Sequence, residues 1–190
     1  IVLCFIALLV LINFNLFTII LALGSMPLAF TYPLMKRFTY WPQLFLGITF
    51  NYGLILGWTA IEGQINLTPI IFYLGAIFWT LGYDTIYGYQ DIKDDEIIGL
   101  KSTSIKFKKN AKKFLITCYM VFTICFLIGA IKMELNSVYY LILIIPIMHL
   151  FFFQIKIFNQ NVPASCLKAF KSNNLFGLLI FINILIVKIL

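Results

Sequence analysis

Five carboxylates crowd one short stretch of this 190-residue chain. Asp84, Asp91, Asp94, Asp95 and Glu96 fall within 13 residues, out of only seven acids in all. If the stretch is helical at about 100° per residue, Asp84, Asp91 and Asp95 lie within roughly 40° of one stripe. Anions so placed repel one another, and a divalent cation is the simplest compensation. Oxygen ligands without His or Cys suit Mg²⁺, Mn²⁺ or Ca²⁺. Mg²⁺ commonly binds through one or two carboxylates plus phosphate oxygens of a substrate, so a phosphate-bearing substrate is implied. A solvated acidic loop is the plain alternative for Asp91 to Glu96, but it fits Asp84 poorly, because that residue is embedded among aromatic and apolar neighbours.

A second group lies upstream in TYPLMKRFTYWPQ. Tyr32 and Lys36 are four apart, hence on one face if the turn is helical, and would present a phenol and an ammonium to a pyrophosphate, with Arg37 adding a further positive charge. The competing reading is a Tyr and Lys/Arg pair that anchors a helix end at lipid headgroups.

The elements that must position these groups are set by composition. Apolar residues make up 62% of the chain and charged residues 11%, against roughly 45–50% and 25% in ordinary soluble domains. This excludes a water-soluble globule, and the abundant Phe, Ile and Leu exclude intrinsic disorder. The expected fold class is all-α, an integral membrane helical bundle. Apolar runs of about 20 residues, enough to cross the hydrocarbon layer, occur at Asn15 to Leu34, Trp41 to Ile61, Thr68 to Tyr89, Phe114 to Ile131, Ser137 to Gln154 and Leu175 to Leu190. Ile1 to Ile12 reads as the end of one more, so about six complete transmembrane helices and one partial helix are expected. The chain opens at Ile1 inside an apolar run, with no Met and no charged leader, and is read as N-terminally incomplete.

Twelve of the 14 basic residues sit in alternate loops, at Lys36 and Arg37, Lys93 to Lys113, and Lys156 to Lys171. The intervening loops hold one Lys among them. This asymmetry follows the positive-inside rule and places the Lys-rich loops, and both candidate groups, on the cytoplasmic side. The net charge of +7 accordingly points to anionic membrane lipid and not to nucleic acid, and the run KFKKNAKK, Lys106 to Lys113, reads as a lipid contact. Cys4, Cys118, Cys125 and Cys166 form no CxxC pair and read as buried thiols. His149, alone in an apolar helix, reads as a hydrogen-bonded structural residue, while Asn173 and Asn174 are suited to capping or bridging helices.

The string YDTIYGYQDIKDDEIIGLKST resembles the second aspartate-rich motif of the UbiA superfamily of membrane prenyltransferases, and within it that of the 4-hydroxybenzoate polyprenyltransferases of ubiquinone synthesis. YPLMKRFTYWPQLFLG resembles the family's YxxxK segment, and KAFKSNNLFGLLIF is similar to its last helix. The resemblance extends over essentially the whole chain. It implies a nine-helix fold with two facing aspartate-rich motifs. Residues 1–190 would then be a single transmembrane prenyltransferase domain lacking the N-terminal helices and the first motif, of NDxxDxxxD form.

By that resemblance Mg²⁺ would bridge Asp91 and Asp95 to the pyrophosphate of a polyprenyl diphosphate, with Lys36, Arg37 and Lys101 offsetting the remaining negative charge. Loss of pyrophosphate leaves an allylic cation, which Tyr83, Tyr87 and Tyr89 would stabilise through their ring faces. The ring of 4-hydroxybenzoate would attack ortho to its hydroxyl, with Asp84 orienting or helping to ionise this acceptor. The resemblance also implies a bacterial inner membrane, or a mitochondrial inner membrane if the source is eukaryotic. Three other readings stay open: prenylation of another aromatic acceptor, a non-catalytic membrane remnant, and a transporter whose intramembrane acids line an ion path.

Overall fold

The computed structural model describes residues 2–189. Among them every regular element is helical, in the order α1 (Val2–Leu11), α2 (Leu16–Thr31), α3 (Met35–Phe38), α4 (Pro42–Phe50), α5 (Tyr52–Glu62), α6 (Leu67–Gly88), α7 (Ile92–Ile98), α8 (Thr103–Lys106), α9 (Ala111–Lys132), α10 (Ser137–Met148), α11 (Ile155–Ile157), α12 (Pro163–Lys171) and α13 (Asn173–Ile189). A short 3₁₀ turn, Tyr32–Leu34, joins α2 to α3, and a π-helical turn, His149–Gln154, joins α10 to α11.

Six stretches are long and apolar enough to cross a membrane: Leu16–Phe38, Pro42–Glu62, Leu67–Gly88, Ala111–Lys132, Ser137–Ile157 and Pro163–Lys188. The chain is thus an integral membrane helical bundle, as its composition requires. Two boundaries differ most from the hydropathy reading. The first span runs past Leu34 to Phe38, because the 3₁₀ turn carries the helical path through Pro33. The last span starts at Pro163, not Leu175. Its opening helix α12 buries Cys166 and Ala169 and leaves Lys168 and Lys171 exposed, so an amphipathic segment that looked like loop is helical.

The three Lys-poor connections each end on an asparagine that starts the next helix. Asn15, Asn66 and Asn136 accept from the amides of Thr18, Thr68 and Tyr139 at 2.9, 2.9 and 3.3 Å. Such caps satisfy amides that a helix start would otherwise leave unpaired.

The centre of the bundle is the pairing of α6 with α9. In lipid, helices gain little from burying apolar surface and associate instead through close backbone approach and polar pairing. Gly82 permits that approach: a Cβ there would lie 2.6 Å from the Tyr119 ring. Around it pack Leu81, Cys118, Phe122, Phe126, Leu150 and Phe176, all buried. Polar clasps fix the register. Asn51, at the break between α4 and α5, donates to the Thr80 hydroxyl at 2.7 Å and the Ala76 carbonyl at 3.2 Å. Gln154 accepts from the Tyr119 hydroxyl and donates to the Ala169 carbonyl and the Ser172 hydroxyl at 3.0 and 3.2 Å, tying α9, the π-helical turn and the end of α12 together.

Candidate active site

The long helix α6 ends at Gly88, and its end is built from small hydroxyl side chains that do not compete for space. Thr85 and Thr103 share a hydroxyl bond of 2.6 Å, and Ser104 donates to the Thr85 carbonyl at 2.8 Å. The Thr103 amide donates to Gln43 Oε1 at 2.9 Å, which brings the start of α4 against the same junction. Thr85, Ser102, Thr103 and Ser104 are fully buried and Gln43 nearly so. The KST end of the acidic string is therefore folded back onto the helix that carries Asp84.

This fold-back corrects the continuous-helix picture. The helix breaks after Gly88, Asp91 takes a non-helical conformation (φ −102°, ψ 5°) as the residue before α7, and α7 is a separate helix from Ile92. Asp84 therefore does not share a helical stripe with Asp91 and Asp95. Among the described residues, no group of three or more His, Cys, Asp or Glu side chains gathers into a ready-made metal cluster. Asp91 and Asp95 keep their one-turn relation, with the Asp95 amide donating to the Asp91 carbonyl at 2.9 Å. The Asp91 carboxylate makes no capping bond and is exposed. Asp95 is 6% exposed, and its Oδ2 has no hydrogen-bond partner.

The break serves to bring the two sequence groups together. Lys36 Nζ stands 3.6 Å from Asp95 Oδ2, an ion pair too long to count as a hydrogen bond. Lys36 also lines, with Tyr32, Pro33, Pro42, Gln43, Leu46 and Asp84, a cavity of about 230 Å³ at the end of the bundle. One ammonium thus pairs with the α7 carboxylate Asp95 and shares a cavity wall with the α6 carboxylate Asp84. Lys101 holds the two segments in register: its amide donates to the Lys36 carbonyl at 2.8 Å, and its Nζ donates to the Phe38 carbonyl at 3.3 Å while lying over the Tyr40 ring. Its ammonium faces the YxxxK segment and does not line the cavity. Arg37 is exposed and outside the lining as well.

The aromatic residues divide into two sets. Tyr83 packs against Trp79 and Phe170 at 5.0 and 5.8 Å between ring centroids, and Tyr87 against Phe170 at 4.8 Å. Trp79 is held by Asn173, whose Oδ1 accepts from the indole N–H at 3.0 Å, so Asn173 bridges α6 and α13. Tyr89 points elsewhere. It is buried against Phe158, burial pushes its phenol pKa well up, and it is a packing residue and not a face for a cation. His149 is buried between Phe153 and Phe176 with neither ring nitrogen bonded to a protein group, so the expected hydrogen bond is not made.

Gln43 was invisible to motif reading. A lone amide after Pro42 resembles any interfacial helix start, and only its long-range partner Thr103 shows what it does. Of the four cysteines, Cys118, Cys125 and Cys166 are buried as expected, whereas Cys4 is exposed, and all are free.

The chain is similar to several known proteins. The 4-hydroxybenzoate polyprenyltransferase, mitochondrial, of Bos taurus is 43% identical over 182 residues, covering 93% of this chain and 48% of that protein. Its counterpart in Homo sapiens is 40% identical with the same coverage. The 4-hydroxybenzoate geranyltransferase 2 of Lithospermum erythrorhizon is 42% identical, covering 96% of this chain and 60% of that protein. The chain spans about half the length of the mitochondrial relatives it matches. A solved UbiA homolog from Aeropyrum pernix K1 has the same fold, with a TM-score of 0.76 at 21% identity, over 95% of this chain and 67% of that one. The model of the UbiA prenyltransferase family matches residues 1–185, nearly every helix of the bundle, and the chain belongs to that family.

Proposed function

We propose that the protein transfers a polyprenyl group from a polyprenyl diphosphate to the ring of 4-hydroxybenzoate, in the synthesis of ubiquinone. The observation that carries this reading is the meeting of Lys36 with Asp95 beside a cavity that also holds Asp84 and Tyr32. A carboxylate pair and an ammonium at the mouth of a membrane bundle suit a lipid diphosphate, and the relatives named above are called 4-hydroxybenzoate polyprenyltransferases.

Asp91 and Asp95 fit a divalent ion of the Mg²⁺ type as a partial shell, because one carboxylate is free of capping bonds and the other has a buried oxygen without a hydrogen-bond partner. Mg²⁺ bound through two carboxylates leaves positions for phosphate oxygens. When bound, such an ion would supply charge stabilisation to the departing pyrophosphate. Lys36 contributes a fixed positive charge at the same place, and preorganised charge of this kind is worth most where negative charge develops. Tyr32 offers a phenol donor at the cavity wall. Tyr83 and Tyr87 supply ring faces to an allylic cation, an attraction of about 2 kcal/mol in a dry site. Asp84 accepts the acceptor's hydroxyl proton or holds that hydroxyl in place. Arg37 and Lys101 act at longer range, Arg37 toward the diphosphate and Lys101 by holding Lys36.

The isoprenoid tail accounts for the membrane location, since it stays in hydrocarbon while the head reaches the polar end. The site lies on the Lys-rich face, read as the cytoplasmic face of a bacterial inner membrane or its equivalent in the mitochondrial inner membrane. In membranes carrying the whole protein, Asp91→Ala or Asp95→Ala abolishes Mg²⁺-dependent release of pyrophosphate while the protein stays inserted. Near-normal turnover in either variant refutes the assignment.

A further inference from the structure

A second polar cavity, with none of the residues of the Asp84 cavity in its wall, opens on the Lys-rich face. It measures about 530 Å³ and is lined by Lys109, just before α9, Lys112 and Lys113 in its first turn, Lys156 in α11, and amide side chains that include Asn110 and Gln160. The four lysines come from two chain segments separated by most of α9 and the whole of α10. All four are exposed, and no carboxylate is among the lining residues. The nearby ion pair, Lys108 to Glu96 at 2.8 Å, engages a lysine that is not in this wall.

We propose that this cavity binds the phosphate headgroup of an anionic phospholipid. Loop charge bias alone calls for lysines on this face, but it does not call for their convergence from separate segments on one recess. Like charges held together repel, and an anion in the recess reverses the sign of that interaction. The Asn110 side chain, which lines the recess, makes no cap bond to the first amides of α9. The floor is Phe158 and Ala111, and Ala111 begins a transmembrane span, which puts the cavity at headgroup depth. Basic recesses between spans at this depth suit lipid phosphate. A free phosphate ion has the same headgroup chemistry without the acyl chains, and the test separates the two.

The detergent-purified protein is titrated with dioleoylphosphatidylglycerol or dioleoylphosphatidylcholine, and retained lipid is read by native mass spectrometry. The wild type retains phosphatidylglycerol in preference to phosphatidylcholine. Lys112→Gln/Lys156→Gln weakens phosphatidylglycerol retention by about 25-fold, at roughly fivefold per lysine. Lys168→Gln/Lys171→Gln removes the same charge from the same face but outside the cavity wall, where screening weakens its hold on the headgroup, and changes retention by less than about twofold. All substituted side chains are exposed, and unchanged helicity by circular dichroism confirms folding. Equal losses in the two variants, or no preference for phosphatidylglycerol in the wild type, overturn the proposal. Displacement of the lipid by millimolar inorganic phosphate would also overturn it, by assigning the cavity to a free anion.

Discussion

Lys36 and Asp95 face each other at 3.6 Å across the junction of two chain segments, with the carboxylate buried and the ammonium half-exposed. The pairing converts two separate sequence motifs into one site. It also leaves Asp95 Oδ2 short of a hydrogen bond, so the carboxylate stays available to a stronger ligand.

The first prediction concerns that pair. Lys36→Met leaves a buried carboxylate without its counter-charge and lowers stability by about 1 kcal/mol, a value discounted for the exposure of the lysine. Combining it with Asp95→Asn restores most of the loss. Thermal melting of the four proteins of the cycle, in detergent, checks this. Strictly additive effects would show that the pair is not coupled.

Gln43→Met keeps the volume of the side chain but removes the acceptor of the Thr103 amide, which is fully buried. A buried donor left unpaired costs about 1–3 kcal/mol. Hydrogen exchange should speed up at Leu100 to Ser104 and stay unchanged in the Glu62 to Asn66 connection. Unchanged exchange at Thr103 would mean that the acidic string does not depend on this clasp.

Gly82→Val drives a side chain into the Tyr119 ring and should destabilise the pairing of α6 and α9 by about 1–3 kcal/mol. Gly53 in α5 has open space around its Cβ direction, so Gly53→Ala should be neutral or stabilising by up to about 1 kcal/mol. Comparison of the two melting temperatures decides the matter. A tolerated valine at position 82 would contradict the close approach.

Gly99 closes α7 in the left-handed conformation, with φ at 77°. Gly99→Val should cost about 1–2 kcal/mol, because a side chain there crowds the following carbonyl. The strain falls two residues before Lys101, whose amide holds Lys36, so affinity for pyrophosphate should fall together with stability. Full affinity in a destabilised variant would separate the turn from the site.

The spans were legible because hydropathy is summed over some twenty residues and tolerates local errors. The partnership of Tyr32, Lys36 and Asp84 was legible too, since loop parity placed all three at one end of the bundle. The shared stripe of Asp84, Asp91 and Asp95 was not. Helical periodicity has no way of registering that the chain turns at Gly88 in order to seat Ser104 on the Thr85 carbonyl. The packing of Tyr89 was not legible either, because the turn after Gly88 sets its ring against Phe158. Nor does any local signal announce Gln43, whose partner lies on another helix.

Gln154 has a consequence for how the bundle is levelled. Nonpolar ridges can slide past one another by a helical turn at small cost, and lipid offers nothing to correct the error. A single amide that engages Tyr119, Ala169 and Ser172 at once fits only one vertical offset of the three helices. It works as a plumb mark, setting the depth at which Lys-bearing ends emerge on one side and asparagine-capped starts on the other.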